Sequence, residues 1–307
     1  MSAPDWIAVD WGTSTLRAWA MDGSGAVLDA ARSGEGMGTL PPGQAGFEPA
    51  LLRLVESWLA PDRTIQVVAC GMGGARQGWR EAPYRPVPAA PLAEGALTLM
   101  PSRDPRIRVH VAGGVSQSNP PDVMRGEETQ IAGLLAAVPG FDGVVALPGT
   151  HTKWVQIVDG EIFHFASFMT GELYALLAEK SVLRHSLDPD GFARAPFVTA
   201  LNETLSRPER VAGWLFGLRA AHLLQGAEPV AAASRLSGYL LGMELAASRP
   251  YWLGQRIALV AAGRHAERYA AALDEVGASH EIFDPDTCVL AGLSAARATL
   301  IATEGTA

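Results

Sequence analysis

The chain has 307 residues, 48% apolar and 18% charged, which suits two globular domains with real cores and excludes a disordered protein. Its formal net charge of −8 argues against nucleic acid or an anionic membrane as the main partner, while local arginine clusters could still hold a small anion. Cys70 and Cys288 are the only cysteines, too few for a disulfide framework or a zinc cluster; with no apolar signal core before Asp5 and no bilayer-length apolar run, a cytoplasmic location is expected.

In chain order, Ile7-Ala8-Val9 reads as a buried strand entering the loop Asp10-Trp11-Gly12-Thr13-Ser14-Thr15. Leu16 to Met21 is a second strand, closed by the turn Asp22-Gly23. Leu51, Leu54, Val55, Trp58 and Leu59 predict an amphipathic helix over 47–59. Thr64 to Cys70 is another buried strand, ending in Gly71-Met72-Gly73-Gly74, and a loop with Arg76, Trp79, Arg80, Tyr84 and Arg85 follows. Such strand ends are where α/β proteins place ligands. Arg76 or Arg85 could clamp a carboxylate with paired donors; a solvated arginine-rich loop is the plain alternative.

Ile107 to Ala112 is a further strand, and Met124-Arg125-Gly126-Glu127-Glu128-Thr129 opens a helix with Ile131, Leu134, Leu135 and Val138 on one face. Glu127 and Glu128 fall in its first turn, where the macrodipole favours acids whatever their function. The functional reading is that one of them accepts a proton from an attacking hydroxyl. Met169-Thr170-Gly171-Glu172 precedes a helical stretch, and helices are expected over 210–224, 229–247, 266–276 and 291–302. Arg256 to Ala262 is a strand ending in Gly263, a corner that fits nucleotide contact.

The strongest pattern is an internal echo. Val144 to Leu147 enters Pro148-Gly149-Thr150-His151-Thr152-Lys153, and Trp154 to Val158 ends in Asp159-Gly160, matching the first hairpin at a constant offset of 137. Two domains with the same opening topology would bring two Gly-Thr loops to face each other as a phosphate clamp. Glycine lets backbone N–H groups approach phosphate oxygens; Thr13, Ser14, Thr150 and Thr152 add hydroxyls, and Lys153 could add charge. Asp10 can hold magnesium through water, or simply cap its loop.

Asp10 to Arg17 resembles the first phosphate loop of the actin-like ATPase superfamily. Three segments resemble the 2-dehydro-3-deoxygalactonokinase family more closely: Asp10 to Trp19, Met124 to Gln130, and Pro148 to Val155. Met169 to Leu173, and Gly78-Trp79 with Ala82-Pro83-Tyr84, fit the same family. The resemblance implies an α/β fold of two duplicated actin/hexokinase-like (ribonuclease H-like) domains, 1–138 and 139–307, with an inter-domain cleft. It implies ATP- and magnesium-dependent phosphorylation of the 6-hydroxyl of 2-dehydro-3-deoxy-D-galactonate, a step of galactonate breakdown.

Carried onto this sequence, Glu127 is the catalytic base with Glu128 in reserve, and Asp10 positions the metal. Gly12, Thr13, Ser14, Gly149, Thr150, His151 and Thr152 hold phosphates, with Gly263 on the adenine side. Arg17, Lys153 and Arg125 stabilise the transferring group or hold the substrate carboxylate, and Arg76, Trp79, Arg125, Gly171 and Glu172 form the substrate side. The expected partners are a small sugar acid and ATP, with no nucleic acid or membrane; a homodimer is compatible with the sequence. The rival readings are a kinase of another sugar acid or anhydrosugar, and an actin-like regulatory or assembly protein.

Overall fold

Trp6-Ile7-Ala8-Val9 is apolar without a break, and the computed structural model, which describes residues 3–93 and 95–304, buries it as the strand on which the first sheet is built. This strand, β1 (Trp6–Trp11), pairs antiparallel with β2 (Leu16–Met21), and β2 with the more exposed edge strand β3 (Val27–Ser33). After α1 (Gln44–Val55), β4 (Ile65–Gly71) runs parallel to β1. β5 (Arg85–Pro86), β6 (Leu97–Leu99), β7 (Ile107–Ala112), β8 (Val115–Ser118), β9 (Pro121–Met124) and α2 (Glu127–Ala137) follow. The main sheet has the order β3-β2-β1-β4-β7-β6, and β5-β8-β9 form a small second one. Its core gathers Ile7, Val9, Phe47, Leu51, Val67 and Val109.

The second unit begins with β10 (Gly143–Leu147), β11 (Thr152–Val158) and β12 (Glu161–Phe168). Helices α3 (Thr170–Glu179), α4 (Arg194–Ser206), α5 (Val211–Gln225), α6 (Pro229–Ala247) and α7 (Arg249–Trp252) come next, then β13 (Ile257–Val260), α8 (Gly263–Glu275) and β14 (His280–Phe283). The sheet order is β12-β11-β10-β13-β14. In both sheets a central strand has an antiparallel hairpin partner on one side and two successive parallel strands on the other. The echo is thus a duplication of topology.

The ladders refine the constant offset. The first hairpin closes at Trp11↔Leu16, around residues 12–15, whereas the second closes at Leu147↔Lys153, around residues 148–152. The second loop holds one residue more, so the strands before and after it cannot both keep one offset.

The last helix, α9 (Pro285–Glu304), belongs with the first unit. That unit comprises the chain up to Phe141, Val158–His164 and the segment from Pro285 on; the second comprises Asp142–Ile157 and Phe165–Asp284. A single cut after residue 138 therefore differs from the observed division. The reason is packing: Val289, Leu293 and Ala296 are buried among Trp6, Trp19, Met21 and Val68. Opposite them, α9 and α2 approach through paired glycines, where a Cβ on Gly133 would stand 1.9 Å from the Cys288 carbonyl oxygen and one on Gly292 1.9 Å from that of Thr129. Among the described residues no helix is long and apolar enough to cross a membrane.

Candidate functional site

Three element ends of the first unit converge. Asp10 is the penultimate residue of β1, Gly71 the last of β4, and Gly126 the N-cap of α2. Gly71 and Gly126 take φ of +82° and +103°, backbone that residues with a Cβ enter only at a cost. A Cβ on Gly71 would lie 2.4 Å from the Trp11 carbonyl oxygen and 3.4 Å from Asp10 Oδ1, and one on Gly126 3.3 Å from Gly71 Cα. Bare backbone contact thus brings Asp10 and the first turn of α2 into one neighbourhood.

Arg17 Nη2 donates to Asp10 Oδ2, and Arg17 Nη1 to Asp286 in the first turn of α9. Cys70 Sγ lies 3.7 Å from the other Asp10 oxygen. Burial pushes that thiol well up, so it faces Asp10 as a neutral S–H. The Gly12 N–H donates to the Thr15 carbonyl at 2.8 Å, closing the loop. Behind it, the N–H groups of Met37 and Gly38 donate to the Gly12 and Thr13 carbonyls at 3.1 and 2.8 Å, which leaves Thr13 and Ser14 facing solvent.

The two glutamates part company. Glu128 is fully buried and turned back on its own helix start, accepting from the Gly126 N–H at 2.6 Å and the Thr129 hydroxyl at 3.0 Å. Burial, and then the charge of Glu127, push its carboxyl up to about 7. Glu127 is only partly buried, and its Oε2 accepts from the Arg125 N–H at 2.9 Å. Arg125 itself is 8% exposed. Its Nη2 donates to the Ala82 carbonyl at 2.8 Å and its plane lies 4.3 Å from the Tyr84 ring centre, while Nε and Nη1 have no partner.

In the second unit, Gly149, Thr150 and His151 form the outer part of the loop, and Thr152 and Lys153 are buried. The Glu172 N–H donates to the Thr150 carbonyl at 2.9 Å, His151 Nε2 pairs with the Glu172 carboxylate, and Gly171 lies so close that a Cβ would stand 2.1 Å from the Gly149 carbonyl oxygen. Gly171 and Glu172 therefore brace this loop from behind. Lys153 Nζ donates to the His151 carbonyl at 3.3 Å. Beside the loop lies a cavity of about 240 Å³, walled by Gly171, Tyr174, Leu240, Arg268 and Tyr269. Gly263, at φ +55°, opens α8 where Arg264 and His265 reach the same cavity.

Under that wall is a buried polar network. Glu244 of α6 accepts from Trp154 Nε1 at 2.9 Å, from the Tyr269 hydroxyl at 2.9 and 3.0 Å, and from the Thr170 hydroxyl. The Tyr269 hydroxyl is also 2.6 Å from that of Thr152. Burial pushes Glu244 up to about 7.

These two raised carboxyls give an expected pH dependence. Each has a folded value above its ordinary 4.5, so its contribution is complete below about pH 4.5 and lost as pH rises through about 7. The melting temperature should fall between pH 5.5 and 8, and Glu128→Gln should make that decline shallower. An equally steep decline in the variant would place its origin elsewhere.

Set beside known proteins, residues 10–296 match the model of the 2-keto-3-deoxy-galactonokinase family. This chain belongs to that family. A curated Rhizobium meliloti (strain 1021) protein named a probable 2-dehydro-3-deoxygalactonokinase is 40% identical over 295 residues, covering 94% of this chain and 95% of that one. The Escherichia coli (strain K12) 2-dehydro-3-deoxygalactonokinase is 34% identical over 291 residues, covering 94% and 96%. A crystal structure from Sinorhizobium meliloti, named for the same kinase, superposes with a TM-score of 0.87 at 38% identity over 95% of each chain. The activator of 2-hydroxyisocaproyl-CoA dehydratase from Clostridium difficile, solved with bound ADPNP, shares the fold alone, with a TM-score of 0.52 at 12% identity over 98% and 97%. Family membership makes this chain a phosphotransferase on the α/β, actin/hexokinase-like scaffold that the sequence led us to expect.

Two residues expected on the substrate side have the following surroundings. Trp79 is a core residue packed edge-on against Trp11, and its indole N–H donates to the Pro101 carbonyl at 2.8 Å. Its bulk and paired N–H suit packing, which is what fixed its place. Arg76 is solvent-exposed, 3.6 Å from Glu81. Arg85 is tied down by the Ala90 and Pro91 carbonyls. Sequence reasoning missed Glu244, Tyr269 and Thr170 as one group, because nothing in their spacing marks three separate helices as neighbours.

Proposed function

We propose that this protein transfers the γ-phosphoryl group of ATP to the 6-hydroxyl of 2-dehydro-3-deoxy-D-galactonate in the cytoplasm, giving 2-dehydro-3-deoxy-6-phospho-D-galactonate and ADP. Relatives at 34–40% identity over nearly the whole chain are named for that acceptor. The observation in the fold that carries an acidic acceptor is Arg125, a buried cation with two unmatched donors beside Glu127. A buried guanidinium with donors to spare favours an anionic group beside it.

In this reading Glu127 is the base: it receives the proton as the 6-hydroxyl oxygen bonds to phosphorus and the bond to ADP breaks. Glu128, committed to its own helix start, holds the turn that aims Glu127. Thr13 and Ser14 with the Gly12 backbone, and Thr150 with the Gly149 backbone, receive phosphate oxygens, and the cavity at Tyr174 and His265, next to Gly263, takes the adenine. Among the described residues no three acidic, histidine or cysteine side chains gather as a metal cage. A lone carboxylate such as Asp10 suits magnesium, which keeps its waters and leans on phosphates. Bound there, the ion would neutralise phosphate charge; Asp10 would hold it through water, and Arg17 would keep the Asp10 carboxylate in place.

The test is ADP release by the purified protein with magnesium, ATP and either 2-dehydro-3-deoxy-D-galactonate or its gluconate epimer. Turnover on the galactonate form, with Arg125→Met raising its KM far more than that of ATP, is the expected result. Turnover on the other epimer alone would move the substrate, and no stimulation by either acid would overturn the reading.

A further inference from the structure

We propose that Glu244 is a positioning residue for nucleotide binding, a buried carboxylate that sets the second Gly-Thr loop and the wall of the neighbouring cavity together. The proposal rests on the reading that this loop and cavity take the nucleotide. Glu244 is 2% exposed and sits in α6, far along the chain from what it binds. It ties down β11 through Trp154, the first residue of α3 through Thr170, and α8 through Tyr269. Thr170 and Tyr269 line the cavity, whereas Glu244 does not.

The direction of the hydrogen bonds matters. Trp154 Nε1 can only donate, so the Glu244 oxygen facing it accepts whether or not the carboxyl is protonated. With Tyr269 donating to Glu244, its hydroxyl is left to accept from Thr152, which closes the loop that begins at Pro148. One carboxylate thus orients the Thr152 side chain through Tyr269 and the start of α3 through Thr170. The adjacent Gly171 and Glu172 then meet the Gly149 and Thr150 carbonyls from the α3 side. A purely structural buried acid would need only to be satisfied; this one joins both supports of a single loop. A hydrophobic replacement would leave three polar groups searching for partners, which is costly in an interior.

The experiment uses the full-length protein and two variants, Glu244→Gln and Tyr269→Phe. Tyr269→Phe removes one oxygen and keeps the ring, so it should fold even if the first variant does not. MgADP affinity is measured by titration calorimetry, KM for ATP and for the sugar acid by initial rates, and folding by thermal melting. Both variants should weaken MgADP and raise KM for ATP by roughly tenfold, the worth of one or two buried hydrogen bonds. KM for the sugar acid should stay put. A lower melting temperature with unchanged ADP affinity and ATP KM would overturn the proposal, as would an equal rise in both KM values. If the wild-type protein bound no MgADP, the nucleotide reading of the cavity would fall with it; wild-type binding matched by both variants would remove Glu244 alone.

Discussion

Glu127→Gln is expected to lower kcat by roughly 10²–10⁴-fold, the usual worth of a positioned general base. KM for ATP and the melting temperature should change little, because the amide keeps a carbonyl oxygen for the Arg125 N–H that Glu127 now accepts. Glu128→Gln should behave in the opposite way. Its amide can still face Gly126 and Thr129, so turnover should survive, while the pH dependence of stability changes. Coupled ADP release on both variants, beside their melting curves, distinguishes the roles. Loss of turnover in Glu128→Gln with Glu127→Gln active would exchange them.

That pair also shows how far sequence reaches. Gly126 and the acids after it marked the start of a helix, and the structure begins α2 at Glu127. Which acid faces outward was not legible, since both occupy the first turn and the macrodipole favours each alike. Burial decides it: Glu128 is fully buried and Glu127 only partly, and burial is set by the tertiary fold. The repeated hairpin was legible because local strand and turn chemistry repeats with it. Its one-residue difference in loop length was not, because register is set by pairing across the ladder. Edge strand β3 and helix α4 escaped notice for local reasons: β3 is mostly exposed along its length, and α4 carries Pro196 in its first turn. The Glu244 network joins residues 25 to 117 positions apart, beyond the reach of any periodicity.

The second large effect is on folding. Gly292→Ala should destabilise the protein by about 1–3 kcal/mol or more, as overpacking does when the crowded atoms are backbone. The added Cβ would meet the Thr129 carbonyl oxygen at 1.9 Å, so α9 has to shift along α2 rather than rotate a side chain away. Since α2 carries Glu127, turnover should fall with stability. Gly213→Ala on α5 is the control, because its Cβ would meet nothing within 4 Å and a helix interior favours alanine over glycine. Thermal melting should show Gly292→Ala lowered by several degrees and Gly213→Ala unchanged or raised. Equal melting of Gly292→Ala and wild type would contradict the close approach of the two helices.

The seating of α9 on the first unit has a bearing on how the chain is made. Trp6, Trp19, Met21 and Val68 leave the ribosome early, yet the Val289, Leu293 and Ala296 that cover them come from the other end of the sequence. At the usual 5–20 residues per second, roughly 10–30 s of translation separate the end of the first unit's opening segment from the completion of that helix. For that interval the nascent chain shows an apolar, glycine-notched groove on α2 and the adjoining sheet. Recruitment of a chaperone to stalled chains should therefore persist for those ending anywhere from the start of β10 to β14, and should vanish once α9 has emerged.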